Sequence, residues 1–365
     1  VIAGDVYDAA DRSLRAQIRF RDGLARLSDA GIPAYVIHGN HDPLDGWHAG
    51  LTWPDGVHIF GAEEVERVVC RMDDEEVASI YGISYEQRNV SENLALRYKR
   101  HPDDRFAIGL LHANVGGDPG HEAYAPCDLS HLRESGMDYW ALGHIHTPKI
   151  LNETSPAVVY AGNPQGRHPG EIGERGCYVV QVDRKGVPTP QFTAVDTVRW
   201  RLEEIPADTL ENEQDLLDAL ESCCDAMRSR ASGRSVVCRL RVTGRSALHR
   251  SLGKTGTIDD LVRNLREMFA ASEPFVWVDR IEDETRSLID IAARAKGEDF
   301  AGEFLRLAGQ YGEDSEKRDM LRKSLSALFE HRTGRKYLEM PDEETLSAWI
   351  DEAVVLALDR MVEED

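Results

Sequence analysis

The chain has 365 residues, enough for two or three domains with substantial cores. Its 65 acidic residues outweigh 43 basic ones, and the formal net charge of −22 argues against wholesale electrostatic wrapping of DNA or adhesion to anionic membranes. Six scattered cysteines without zinc spacing fit a reducing compartment, and no apolar run reaches the roughly 18 residues of a membrane span, so a cytoplasmic location without membrane contact is expected.

Up to residue 195 the pattern alternates between strands and helices. The chain opens in the strand-like run Val1-Ile2-Ala3. Residues 11–30 then carry a helical period, closed by Gly31 with Pro33 just beyond. Strands are expected at 34–37, 57–60, 65–72 and 77–84, with Asp74-Glu75-Glu76 as the turn between the last two. A strand at 106–110, a short helix at 128–135 ending at Gly136, and strands at 139–142, 157–161, 176–183 and 191–195 follow. The order predicts an α/β fold over residues 1–195, two sheets back to back with helices outside.

Residues 200–205 lead into a helical period at 211–231. A cleanly alternating strand at 235–243, a helix at 258–271 and a strand at 275–281 complete a small α/β capping domain over 196–282. From 284 onward no strand pattern remains. Leu346, Trp349, Ile350, Ala353, Val354, Ala357, Leu358 and Met361 follow i, i+3, i+4, i+7 spacing, which predicts a helical tail over 283–365. Charge is uneven along the chain. Residues 226–258 hold eight bases and no acid, whereas 283–365 hold 21 acids and 12 bases. Arg239 and Arg241 share one face of the alternating strand, with Arg245 at the turn after Gly244. This strip is expected to position DNA phosphates, against the plainer alternative of an ordinary solvated strand face.

Four polar phrases each follow a strand: Gly4-Asp5-Val6-Tyr7-Asp8, Gly39-Asn40-His41-Asp42, Leu111-His112-Ala113-Asn114 and Gly143-His144-Ile145-His146. Residues just past the carboxyl ends of strands in an open α/β sheet converge on one crevice. Carboxylate and amide oxygens mixed with imidazole nitrogens suit divalent first-row metals. Each phrase alone has a plain explanation: a turn, an Asx turn with a helix cap, or two exposed histidines on a strand edge. Their joint occurrence in this order points to a metal site.

The phrases resemble the signature of the calcineurin-like metallophosphoesterase superfamily, D-x-H, G-D-x-x-D, G-N-H-D/E, a lone His and G-H-x-H. Four of the five stand here. No Asp-x-His triplet occurs in the chain, so a first βα unit is expected to be missing ahead of Val1. The resemblance implies two divalent metals, manganese first, with iron, zinc or magnesium as alternatives, and a metal-supplied hydroxide as nucleophile. It implies that Asp5 bridges the metals, that Asn40, His112 and His144 complete one site, and that His146 joins Asp5 on the other. In the same pattern His41 protonates the leaving oxygen or stabilises transition-state charge, and Asp8 orients His41 or a phosphate-bound water.

The stretches from His121 to Cys127, from Asp138 to His146 and from Tyr160 to His168 are further similar to the bacterial DNA-repair exonuclease group typified by YhaO. That group is itself similar to the nuclease subunit of the SbcCD complex. This likeness implies a manganese-dependent DNA exonuclease or endonuclease working with an SMC-like ATPase docked on the C-terminal tail, with DNA ends or single strands as substrate and a homodimer left open. Arg167 and His168 lie in a loop able to contact phosphate, Arg167 by bidentate recognition. Two other readings stay open: a small-molecule or nucleotide phosphoesterase on the same site, and a non-catalytic scaffold binding an ATPase.

Overall fold

The computed structural model describes residues 1–9, 13–117, 122, 124–153, 155–288, 291–331, 338 and 340–362. They form two compact units. The first holds Val1–Arg201, Arg228–Val237 and Glu273–Phe275, and the second holds Leu202–Met227, Cys238–Ser272 and Val276–Asp365.

In the first unit β1 (Ile2–Ala3) precedes α1 (Leu14–Asp29), which Ser13 caps by accepting the Ala16 N–H. The expected start of this helix at Asp11 lies outside the described residues; its end, just before Gly31, is as anticipated. The strands that follow are β2 (Ala34–Ile37), β3 (Val57–Ile59), β4 (Glu66–Met72), β5 (Glu75–Gly82) and β6 (Ala107–His112). Next come α2 (Leu129–Glu134), β7 (Tyr139–Gly143), β8 (Lys149–Asn152), β9 (Ala157–Tyr160), β10 (Gly176–Val182) and β11 (Pro188–Ala194).

The turn between β4 and β5 falls one residue earlier than expected. Met72 pairs with Glu75, which leaves Asp73 and Asp74 as the two loop residues, both at positive φ (51° and 63°). A two-residue hairpin loop of this kind demands left-handed backbone at both positions, and aspartate tolerates it better than the glutamates that follow.

β1, β2 and β3 form a parallel sheet. A six-stranded sheet has the order β4-β5-β6-β7-β9-β8, parallel through β5, β6, β7 and β9, with antiparallel edges at β4 and β8. The central strands are apolar and buried on both faces, as parallel strands between covering layers must be. Tyr35, Ile37 and Phe60 from the first sheet meet Ile80, Leu110, Tyr139 and Val159 from the second, so one core lies between the sheets. On the other face Leu111, Trp140, Leu142 and Tyr160 pack against Leu94, Tyr98 and Leu132. This is the expected two-sheet α/β architecture with helical cover. β8 had no sequence signal, because its exposed residues do not alternate; pairing with β9 creates it.

The second unit is built on the sheet β12-β13-β14 (Val198–Pro206, Ser235–Arg245 and Val276–Arg286). Residues 200–205, read only as a lead-in, are part of β12, and β14 runs past 284. The accompanying helices are α3 (Glu213–Arg230), α4 (His249–Leu252) and α5 (Thr257–Phe269), the last packed on β14. Beyond β14 the described chain is helical: α6 (Ile291–Arg294), α7 (Phe300–Glu313), α8 (Ser315–Glu330) and α9 (Glu343–Val362). Among the described residues no helix is long and apolar enough to cross a membrane.

Candidate metal centre

The parallel direction of β1, β2, β6, β7 and β9 sends their carboxyl ends the same way, and the motif residues sit there. His112 is the last residue of β6 and is fully buried. Its Nδ1 lies 2.8 Å from the Ala3 carbonyl, which can only accept, so Nδ1 carries a proton. Its Nε2 lies 2.9 Å from Asn40 Oδ1 and 3.2 Å from Asp5 Oδ2. Two oxygens and a ring nitrogen, all lone-pair bearers, thus face one point. Only a positive species there satisfies them: a proton on Nε2, or a metal ion in its place.

Electrostatics agree. Burial works against charge on Asp5, but the adjoining His112 imidazole and the His41 N–H hold its carboxyl at about 2. Burial likewise opposes charge on His112, yet the Asp5 carboxylate outweighs it and raises that pKa. Among the described residues no three His, Cys, Asp or Glu side chains gather within one cation's reach; the third donor is the Asn40 amide. The donor set therefore fits one metal of the borderline kind. A cation at this point must displace the Nε2 proton. Metal affinity should therefore rise with pH until the raised His112 pKa is passed, and then level off. Calorimetry in buffers of different ionisation enthalpy should register a proton released per metal below that pKa and none well above it.

The glycines of the motifs make room for this ring. A Cβ on Gly39 would stand 2.6 Å from His112 Cε1, and one on Gly143 2.7 Å from His112 Nδ1. Asp5 and His144 hold backbone of the left-handed class, with φ of 53° and 99°. Non-glycine residues bear such strain mainly where a site requires it.

Asp42, given no role from sequence, organises the centre. Fully buried, it accepts the N–H groups of Asp5 (3.1 Å), Val6 (2.8 Å) and Gly39 (2.6 Å), and His38 Nδ1 at 2.9 Å. It pins the β1 and β2 loops together, and the buried His38 is its partner. The only sequence signal was the last letter of Gly39-Asn40-His41-Asp42.

His41 donates its backbone N–H to Asp5 Oδ1 at 2.9 Å, and its Nδ1 lies 3.0 Å from the Asp8 carbonyl oxygen. Asp8 thus orients His41 through its main chain; its carboxylate pairs instead with Arg167 at 2.8 Å. The His144 ring stands 5.4 Å from that of His112, but its Nε2 points to the Glu122 carbonyl at 3.1 Å. The structure therefore places His144 beside the three converging donors without joining them.

His146 Nδ1 bonds Glu171 Oε1 at 2.6 Å. Glu171 is 3% exposed, and its Oε2 accepts the Arg167 N–H at 2.7 Å. Burial opposes the charge on Glu171, but these bonds bring its pKa below the ordinary value. His168 is exposed, 3.5 Å from Glu171. His121 lies outside the described residues. Asp5, Asp8, His41, His144, His146, Asn163 and Arg167 line one cleft of about 530 Å³. Among the described residues the Asn163 side-chain amide has no hydrogen-bond partner, which leaves it able to meet a ligand.

The arginines of the second unit are less available than the sequence suggested. Arg239 pairs with Asp279 at 2.7 Å; Arg241 meets Glu204, Glu282 and Glu284 at 3.3, 3.4 and 2.9 Å. The stretch is acid-free along the chain, but β12 and β14 set acids beside it, so the face is no bare cationic strip. Arg245 binds both oxygens of Asp359 on α9, at 3.0 and 2.9 Å. On α9 itself Leu346, Ile350 and Leu358 are buried, Leu358 against Ala301 and Leu305 of α7; Trp349 stays 42% exposed. Much of the predicted stripe is thus consumed by the chain's own packing.

Comparison with known proteins places this geometry. The calcineurin-like phosphoesterase family matches residues 1–148, and the middle domain of metallophosphoesterase YhaO matches residues 200–286. The uncharacterized metallophosphoesterase YhaO of Bacillus subtilis is 38% identical, over 79% of this chain and 70% of its own length. The DNA double-strand break repair protein Mre11 of Thermoplasma acidophilum is 28% identical over 58% of this chain and 57% of its own. The SbcCD nuclease subunit of Bacillus subtilis is 24% identical over 47% of this chain and 53% of its own. The chain thus spans little more than half of these last two relatives.

Proposed function

The chain belongs to the calcineurin-like metallophosphoesterase family, and from that premise we propose that it is a two-metal phosphodiesterase that hydrolyses DNA. The observation that carries the chemistry is the placement of Asn40 Oδ1 and Asp5 Oδ2 within 2.9 and 3.2 Å of the one buried His112 Nε2. In this reading His144, now at the Glu122 carbonyl, would complete that metal, while His146 and Asp5 would serve the second. When bound, the metal pair, manganese by preference, supplies the hydroxide nucleophile and neutralises phosphoryl charge.

The chain's own groups do the rest. His41 holds one proton on Nδ1 against the Asp8 carbonyl, so a second proton on Nε2 is the one it can give to the leaving oxygen. Arg167 is half exposed, and exposed ion pairs such as its contact with Asp8 are worth only about 0–1 kcal/mol, so a phosphate can take the guanidinium over.

DNA as substrate rests on the distant likeness to Mre11 and to the SbcCD nuclease, the first by name a DNA repair protein and the second a nuclease. It also rests on a capping domain that small phosphatases rarely need. Residues 1–195 form the hydrolytic domain in this proposal, 196–282 the cap, and 283–365 the tail that meets an SMC-like ATPase through surfaces such as exposed Trp349. The full-length protein with manganese should degrade end-labelled DNA, lose that activity to a chelator, and turn over nucleoside monophosphates far more slowly. Faster turnover of monophosphates than of DNA would favour the small-molecule phosphoesterase instead.

A further inference from the structure

The arginines of the second unit differ in where their acids come from. Arg239 and Arg241 are paired by Asp279, Glu204, Glu282 and Glu284, all on β12 and β14, so one sheet fixes both members of each pair. Arg245 and Arg286 are the last residues of β13 and β14, set side by side by the Ser246 N–H on the Arg286 carbonyl at 3.0 Å. Their acid is Asp359 of α9, 114 and 73 residues further along the chain. Its two oxygens meet Arg245 Nη2 at 3.0 and 2.9 Å, and Oδ2 also accepts from Arg286 Nη1 at 3.1 Å. Among the described residues neither guanidinium pairs with another acid.

The Arg245 side of this cradle is built without α9. Gly244 turns at φ 93°, where a Cβ would collide with the Asp208 carboxylate, and Asp208 Oδ1 accepts the Arg245 N–H at 3.0 Å. Arg245 Nη1 is tied to the Ser287 carbonyl at 2.6 Å, which aims Nη2 at Asp359. A pocket of about 430 Å³ adjoins it, lined by His249, Thr285, Arg286, Asp359 and Arg360, with Glu284, which is already bonded to Arg241. The carboxylate, by contrast, is delivered by a helix whose neighbouring Leu358 packs on Ala301 and Leu305 of α7.

We propose that Arg245 and Arg286 form a binding site for DNA backbone phosphate, and that Asp359 occupies and masks it. The inference rests on the DNA reading above. A carboxylate and a phosphate present similar paired oxygens to a guanidinium fork, so a cradle that holds one suits the other. Drawing α9 away from α7 withdraws the carboxylate and leaves two arginines for phosphate oxygens to satisfy. In a chain of net charge −22, two such contacts position a strand without wrapping it.

The test measures binding of a fluorescently labelled single-stranded oligonucleotide to the full-length protein by anisotropy, over a range of salt, with a chelator present to stop hydrolysis. Asp359→Asn should bind more tightly than the parent, roughly tenfold near 0.1 M salt. Its plot of log K against log salt should be steeper by about 1.4, two contacts at about 0.7 each for a single strand. Adding Arg245→Ala and Arg286→Ala to Asp359→Asn should erase the gain, whereas in the parent background the same pair should change neither affinity nor slope. Asp351→Asn, which removes the same charge from an exposed position on α9, should have no effect. Equal affinity and slope in Asp359→Asn and the parent would overturn the proposal. So would a gain that survives the loss of both arginines, or one that Asp351→Asn reproduces, since either reflects net charge alone. A calorimetric gain for inorganic phosphate with none for the oligonucleotide would assign the cradle to a small anion and overturn the DNA site. If Asp359→Asn does not fold, Leu358→Ala, which loosens α9 and leaves the ion pairs' own side chains intact, should show the same arginine-dependent gain, and its absence overturns the proposal. A parent that cleaves no DNA while Asp359→Asn gains arginine-dependent binding refutes the hydrolytic reading and leaves this site standing. A parent that cleaves DNA with no gain in Asp359→Asn does the reverse.

Discussion

His112→Ala in the full-length protein should lose the tightly held metal and bring hydrolysis close to background. The imidazole is the one nitrogen among the three converging donors, and no other side chain can enter its place, since the ring is fully buried beneath Gly39 and Gly143. A metal's stabilisation of transition-state charge is worth several kcal/mol and each ~1.4 kcal/mol is tenfold, so the rate should fall about 10³-fold or more. Removing a buried ring also opens a cavity, so His112→Asn should be made alongside. It retains a polar group but cannot reach both the Ala3 carbonyl and the metal point. Metal content by elemental analysis, in variants with the parent's circular dichroism, is the measurement. Retention of metal at parent level in both would remove His112 from the centre.

His41→Ala should behave in the opposite way, keeping its metal and losing about 10²–10⁴-fold in hydrolysis, the usual contribution of a positioned acid–base group. The hydrogen bond from His41 to Asp5 Oδ1 comes from its backbone N–H, and alanine keeps that bond. The ring is instead fixed by the Asp8 main chain, so Asp8→Ala, which retains the carbonyl, should cost far less than His41→Ala. The loss should also be smaller for a substrate with a good leaving group, such as a p-nitrophenyl ester, than for DNA, because a stable leaving anion needs less protonation. Metal lost together with activity in His41→Ala would make it a ligand; equal losses on both substrates would point to charge stabilisation rather than proton transfer.

Much of the centre could be read from the chain because each motif lies at the end of a strand. Asp5, Asn40, His112, His144 and His146 were identified by residue type, order and a preceding apolar run, and the sheet topology delivers them to one end of the strands, with Asp5, His144 and His146 lining one cleft. Asp42 was hidden in plain view at the end of its motif, since a carboxylate that binds backbone N–H groups leaves no mark beyond its own letter. Glu171 had no signal at all. Its partners are 25 residues back and four residues back, and nothing in local spacing says that a loop will fold a glutamate beneath a histidine.

The sequence by itself determined the alternation of strands and helices and the family, because periodicity and motif order are local properties of the chain. Only the tertiary structure decided what those side chains are bonded to. It gave the Arg167 guanidinium to Asp8, turned His144 toward the Glu122 carbonyl, and fixed the proton on His112 Nδ1. It also put acids beside Arg239 and Arg241 on a face whose own strand carries none. The physical reason is that hydrogen bonds and ion pairs are settled by distances of about 3 Å across elements far apart in the chain, where sequence spacing carries no information.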